Sequence, residues 1–469
     1  MLTLPLATLL DVVAGELIGG SEDVTINGLA VDSRQVEPGS AFVAFTGDRV
    51  DGHAFLPEAI ARGARALLVT REEDGFRELV ATARRSDIAL VLVKNPLTAV
   101  QDLGAWHRER LACPVIGITG SVGKTTTKDY LRSVLGTRLK VVATTGNRNN
   151  ELGVPLTLVD AGADTEALVV EMAMRGAGQI ARLCEIARPT VGLVTNVGVS
   201  HVEILGTQEA IADAKGELVE AIGERGRVFL NGDDGWSDAL ARRSRAAVTT
   251  YGTSETCDVR GADIEVRDGM PAFTLQTGQG SACVTLGVPG RHNVYNALAA
   301  AAIGLYLELS LEDVVGGLER ATFSGMRMET FVSASRVTVI NDAYNANPTS
   351  MRAALEALAD MPTTGRRIAV LGDMAELGSL AELAHFQMGE LVARLPVDIL
   401  VTVGERARRI AEGARAEGMA DALIRPCATS DEASEVLDDV LEAGDVVLVK
   451  ASRVMGLERV VDGIIQPHV

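Results

Sequence analysis

Positive charge is scarce in this chain: 44 Lys and Arg stand against 63 Asp and Glu among 469 residues, a formal charge of -19. Such a surface repels a phosphate backbone or an anionic membrane, so nonspecific nucleic-acid binding is excluded and any anionic ligand must be held by a local site. Long apolar runs are missing as well. The longest, Ala297–Leu307, is about half of the ~20 residues that a membrane span needs. Cys113, Cys184, Cys257, Cys283 and Cys427 are odd in number, widely scattered and free of any CxxC spacing, which argues against a disulfide framework and for reduced thiols in a cytoplasm. Low-complexity sequence is absent too. The apolar stretch Met1–Leu10 holds no Lys or Arg and runs into Asp11 and Glu16 without a cleavage signal, so it is expected to be the first helix of a domain.

What is present describes a globular protein, with 47% hydrophobic and 23% charged residues. At ~150 residues per domain the length suggests about three domains. The first mixes short strands with Gly-rich turns and ends after the apolar run Ile88–Val93, where Asn95-Pro96 breaks the pattern. A helix from Leu97 to Leu111 then leads into the buried strand Cys113–Ile118, and the pattern resets at Thr322–Met328. The domains are therefore expected at 1–95, 96–322 and 323–469. In the last, candidate strands Val337–Asn341, Ile368–Leu371, Ile399–Val403 and Val446–Val449 alternate with helix-length amphipathic segments, which implies an α/β fold with a parallel, doubly wound sheet. Polar clusters follow three of these strands, at Asp342–Asn345, Gly372–Met374 and Lys450–Arg453. In open α/β sheets that edge is where ligands bind.

The strongest motif is Thr119-Gly120-Ser121-Val122-Gly123-Lys124-Thr125-Thr126-Thr127, set between a strand and a helix. Glycines let backbone N–H groups curl around phosphate oxygens, the helix N-terminus adds positive potential, Lys124 neutralises, and the Thr125 hydroxyl suits magnesium. The spacing is a variant, since Ile118 stands where the ordinary loop has glycine. The plain alternative, an exposed Lys in a Gly-rich turn, fits the strand-loop-helix context poorly. Leu168–Glu171 is an apolar strand delivering a carboxylate, as a magnesium ligand beside such a loop would need; a solvated strand-end Glu is the competing reading. A third strand, from Leu193, runs into a loop carrying His201. Lys215 lies four residues from both Ile211 and Val219 on the apolar stripe of the helix Gln208–Gly223. A cation on an inward face either snorkels to the surface or points into a site where burial lowers its pKa.

Together these segments resemble the Mur ligase superfamily, which includes the folylpolyglutamate synthases. Asn-Lys-x-Asp, the guanine reader of GTPases, is absent. Gly146–Pro155, Glu171–Gly176, Ala214–Glu217, Gly290–Leu298 and Asn341–Met351 are similar to the branch that adds D-alanyl-D-alanine, apart from Ala173, where that branch often has Gly. The run Asp32-Ser33-Arg34, with Gly47 and Asp51–Phe55, resembles a UDP-sugar-binding domain. The Asp-Asn-Pro-Arg motif of the neighbouring, third-amino-acid branch does not occur. The resemblance implies a small α/β UDP-substrate domain, a central P-loop-type ATPase domain with a mostly parallel sheet, and a C-terminal Rossmann-like domain. It implies a magnesium- and ATP-dependent ligase joining D-alanyl-D-alanine to UDP-N-acetylmuramoyl-tripeptide through an acyl phosphate. Thr125 and Glu171 would then ligand one magnesium, and His201 with a carbamylated Lys215 a second. Asn293 and Asn296 would serve the adenine side, Arg327 and Asp342 would close onto ATP, and Asn149 and Asn150 would position the peptide end. Ser33, Arg34, Gly52 and His53 would hold the UDP-linked substrate, and Lys450, Ser452 and Arg453 the dipeptide carboxylate. A monomer is expected. A sister ligase, or a P-loop kinase or NTPase turning over ATP without an amine, are the competing readings.

Overall fold

The computed structural model describes residues 1–47, 50–70, 81, 88–198 and 202–465. Three large sheets organise it, beside one two-stranded pair. The N-terminal sheet runs in the order Glu16–Gly19, Ala89–Leu92, Ala66–Val69, Ala41–Val43, Leu29–Ala30 and is parallel except for its first pair. The central sheet has nine strands, with Val115–Thr119 between Val191–Val194 and Ala167–Glu171. Six parallel pairs link the strands from Val141–Ala143 across to Val259–Arg267, and an antiparallel meander, Val259–Thr285, extends one edge. The C-terminal sheet runs Glu329–Val332, Thr338–Asn341, Val446–Lys450, Arg367–Gly372, Ile399–Val403, Ile424–Cys427, all parallel but the first pair.

Strands flanked on both faces by helices are buried on both faces and read as unbroken apolar runs. Val115–Thr119, Ala167–Glu171 and Val446–Lys450 are buried at every residue. The central sheet accordingly packs one core against the phosphate-loop helix Lys124–Leu135 and Asn293–Tyr306, and another against Gln179–Ala187 and Gln208–Ala221. This is the mostly parallel α/β architecture expected of the central domain.

Three elements differ from expectation. Met1–Leu10 is not one helix: Thr3–Pro5 pairs antiparallel with Thr25–Asn27, and the helix spans Leu6–Val13. Leu2, Leu4 and Leu6 are buried while Thr3 and Pro5 are exposed, a period of two that belongs to a strand, and Pro5 then sits at the helix N-cap. Glu329–Val332 adds an antiparallel edge to the parallel C-terminal sheet. The opposite edge strand, Ile424–Cys427, carries Pro426, tolerable only where no further strand needs its N–H. No helix among the described residues is long and apolar enough to cross a membrane.

Candidate active site

The chain leaves Val115–Thr119, turns through Gly120 and Gly123 at φ 149° and 86°, and enters the helix at Lys124. Both glycines are required by space as well. A Cβ at Gly120 would sit 1.8 Å from Thr195 Oγ1, and one at Gly123 2.4 Å from Asn296 Oδ1. The loop between them is laced to the neighbouring strand end. Ser121 N–H donates to the Asn196 carbonyl, Val122 N–H to Asn196 Oδ1 at 3.0 Å, and Thr195 Oγ1 donates to the Val122 carbonyl at 2.6 Å. Gly198 N–H donates to Ser121 Oγ at 2.8 Å. Thr119 is fully buried, and its hydroxyl has no hydrogen-bond partner among the described residues.

Lys124 folds back so that its Nζ donates to the Gly120 carbonyl at 2.6 Å. Burial lowers its pKa; Glu171 opposes that shift and Arg327 adds to it. Thr125 Oγ1 donates to Glu171 Oε2 at 2.7 Å, and Asn149 Nδ2 donates to Glu171 Oε1 at 2.9 Å. Two hard oxygens, a hydroxyl and a carboxylate, thus meet at the loop's end, a donor set that suits magnesium. Lys215 is buried at 2% exposure, and no acceptor pairs with it among the described residues. Burial, with the charge of Lys124 adding, pushes its pKa well below the ordinary lysine range.

Across the loop lies the C-terminal unit. Ser121 to Thr126, Asn149, Glu171, Ala173, Asn293 and Asn296 share one cleft of about 240 Å³ with Arg327, Asp342 and Lys450. Asn296 bridges loop and helix: its Oδ1 accepts from Thr127 Oγ1 and its Nδ2 donates to Asn293 Oδ1, while Asn293 Nδ2 holds the Pro289 carbonyl. The Arg327 guanidinium stacks 4.0 Å above the Tyr344 ring. Lys450 Nζ pairs with Asp342 and donates to the Asn345 carbonyl at 2.9 Å. A glycine-lined loop at a helix N-terminus, faced by two cations across an open cleft, is built for a polyphosphate.

Comparison with known proteins agrees with this geometry. Three family models match in order along the chain: the Mur ligase family catalytic domain at residues 25–107, the Mur ligase middle domain at 118–304 and the Mur ligase glutamate ligase domain at 326–453. The UDP-N-acetylmuramoyl-tripeptide--D-alanyl-D-alanine ligase of Bacillus subtilis is 36% identical over 95% of this chain and 94% of its own. The chain belongs to the Mur ligase family. Among solved structures, MurF from Acinetobacter baumannii superposes on this Mur ligase with a TM-score of 0.86 at 31% identity, covering 99% of both chains. MurF from Thermotoga maritima in complex with ADP gives 0.78 at 28% identity, covering 93% and 96%.

Other singled-out residues of this Mur ligase lie outside the cleft's lining. Ser33 is buried and donates to Glu58 at 2.7 Å, while exposed Arg34 is paired with Asp32. Gly52 N–H donates to the Phe45 carbonyl, and His53 Nδ1 meets Asp51 at 2.7 Å. Asn150 Oδ1 accepts from Leu152 and Gly153 N–H at the entry to the helix Gly153–Asp160. Ser452 Oγ accepts from Ala375 N–H, and Arg453 is half-exposed and paired with Glu458. Lys450, grouped with these two in the sequence, faces Asp342 in the cleft. His201 lies outside the described residues. The sequence did not single out Phe323 or His292 as site residues, yet both line the cleft. Phe323 sits in the segment read only as a domain boundary, and His292 in a segment quoted only for its resemblance.

Proposed function

We infer that this Mur ligase joins D-alanyl-D-alanine to UDP-N-acetylmuramoyl-tripeptide, with ATP converted to ADP and phosphate. The observation that carries the reading is the cleft in which Lys124, Thr125 and Glu171 of the central unit face Arg327 and Lys450 of the C-terminal unit. Near-full-length identity to ligases of that name supplies the substrate class.

A carboxylate is a poor electrophile. Transfer of the ATP γ-phosphoryl group to a carboxylate oxygen makes an acyl phosphate, and the dipeptide amine then attacks the carbonyl carbon, expelling phosphate and losing a proton. The protein's work in this is positioning and charge compensation. The loop Thr119 to Thr126 would hold the phosphates through the backbone N–H groups of Gly123 to Thr126 and the Lys124 ammonium, with Asn293 and Asn296 on the adenine side and Arg327 and Asp342 closing from the C-terminal unit. Thr125 and Glu171 would hold one magnesium, and His201 with a carbamylated Lys215 a second; bound magnesium screens the repulsion between acceptor and triphosphate. Burial lowers the Lys215 pKa and so favours the neutral amine, the form that can bond to carbon dioxide and release a proton. Asn149, which already orients Glu171, and Asn150 would meet the peptide end of the acceptor. Ser33, Arg34, Gly52 and His53 would hold its UDP end, and Lys450, Ser452 and Arg453 the dipeptide carboxylate. We further propose a cytoplasmic monomer, divided at about residues 95 and 322.

The test is phosphate release from ATP with acceptor and dipeptide each omitted in turn. The expected result is release needing both, with a UDP-linked pentapeptide product. Release indifferent to the dipeptide would overturn the reading in favour of a sister ligase or an NTPase.

A further inference from the structure

Lys128 and Asp129, one turn into the phosphate-loop helix, are buried at 2% and 0% exposure and form an ion pair at 2.9 Å. The pair does not face the cleft. Asp129 Oδ2 accepts the Ser324 backbone N–H at 2.8 Å, and its Oδ1 accepts the Ser324 hydroxyl at 3.2 Å. Lys128 Nζ meets the same hydroxyl at 3.3 Å and donates to the Thr144 carbonyl at 3.0 Å. The Thr144 hydroxyl in turn accepts the Glu171 N–H at 3.0 Å. One end of a buried ion pair thus holds the linker into the C-terminal unit, and the other holds the strand end that presents Glu171.

Burying two charges carries a heavy desolvation cost, and an apolar pair of similar volume commonly packs as well or better. Folding alone therefore does not call for Lys and Asp here. Residues next to the groups they fasten line the cleft. Phe323, beside Ser324, stands edge-on to Tyr130 of the phosphate-loop helix at 4.9 Å between ring centres, and Arg327 follows three residues after Ser324. Arg132 adds a second grip, donating to the Thr322 carbonyl at 3.2 Å.

We propose that Lys128 and Asp129 are positioning residues for the nucleotide: they lock the linker onto the phosphate-loop helix so that Phe323 and Arg327 complete the cleft, and they brace Glu171 through Thr144. The proposal rests on the reading that the cleft takes ATP. Neither residue touches the nucleotide; each acts through Ser324 or Thr144.

The experiment compares ADP affinity by calorimetry, and the KM of each substrate, in three variants with thermal melting alongside. Lys128→Met/Asp129→Leu removes both charges without stranding one. It is expected to weaken ADP and raise the ATP KM about tenfold, the size of one lost charge-assisted hydrogen bond, with the acceptor and dipeptide KM values unchanged. Ser324→Ala should weaken ADP about threefold, and Ser324→Thr, which keeps the hydroxyl, should restore wild-type affinity. A folded double variant binding ADP within twofold of wild type would overturn the proposal, as would a uniform rise in all three KM values. Should the double variant not fold, equal ADP affinity in Ser324→Ala and Ser324→Thr overturns it instead. A wild-type chain that binds ADP but ligates nothing defeats the proposed reaction, while the ADP comparison still tests the pair.

Discussion

Lys215 lies within reach of the Lys124 charge, and burial is the first cause of the lowered pKa in both. Only Lys124 has a hydrogen-bond acceptor among the described residues. The two amines should therefore respond differently to truncation. Lys215→Ala is expected to lose at least ~100-fold in ligase rate, the scale of a lost charge-stabilising group, and to regain part of it with a short carboxylic acid that replaces the carbamate. Initial rates with and without added acetate check this, and loss without recovery removes the carbamate role. His292 makes a second case. Burial pushes its imidazole down to about 4, with Lys450 adding and Asp342 opposing, and burial lowers His107 and His385 as well. A histidine lowered in the fold from 6.5 leaves stability untouched above that pH. As pH falls from 6.5 towards 4 the unfolded chain binds a proton that the native state refuses, so stability drops by up to ~1.4 kcal/mol per pH unit per group. His292→Gln should flatten that loss, read from urea midpoints at pH 7 and pH 5; an unchanged slope assigns the effect to the other two histidines.

The phosphate loop is the element where sequence and structure agree most closely, because its signals are local: an apolar strand, two glycines in left-handed or open conformations, and a helix beginning at Lys124. Gly123→Ala should weaken ADP binding at least ~tenfold while leaving the fold intact, since the new methyl meets Asn296 Oδ1 and strains a φ of 86°. Calorimetry with ADP checks it, and affinity within twofold of wild type would show that the loop yields. Elements whose identity depends on distant partners were harder to read. Thr3–Pro5 is a strand only because Thr25–Asn27 lies beside it, and Ile424–Cys427 is too short and too interrupted by Arg425 and Pro426 to announce itself. Lys215 on its helical stripe was legible as an anomaly. The Lys128–Asp129 pair was not, because Ser324, which explains it, lies 195 residues from Asp129 in sequence.

At the scale of the whole molecule, the cleft is lined from two units with separate cores. A ligand that bridges them should couple their unfolding: ADP at a hundred times its Kd adds about 2.7 kcal/mol to whatever must open for it to leave. Calorimetric scans are expected to show the central and C-terminal transitions rising together with ADP, and Arg327→Ala should leave the C-terminal transition unmoved. If ADP raises only the central transition in the wild type, Arg327 makes no energetic contact. The division into three sheets was legible from where apolar runs alternate and break, but the share each takes of its neighbour's core was not. Leu156 and Val159, from the helix Gly153–Asp160 that packs beside the central sheet, belong to the N-terminal core, and Leu2 N–H donates to the Val159 carbonyl at 2.9 Å. On the ribosome this sets a schedule. Emergence of the first ninety-odd residues is not enough to close the first core, which must wait, partly open, until the chain has been made past residue 159; only then can domain-by-domain folding from the N-terminus begin in earnest.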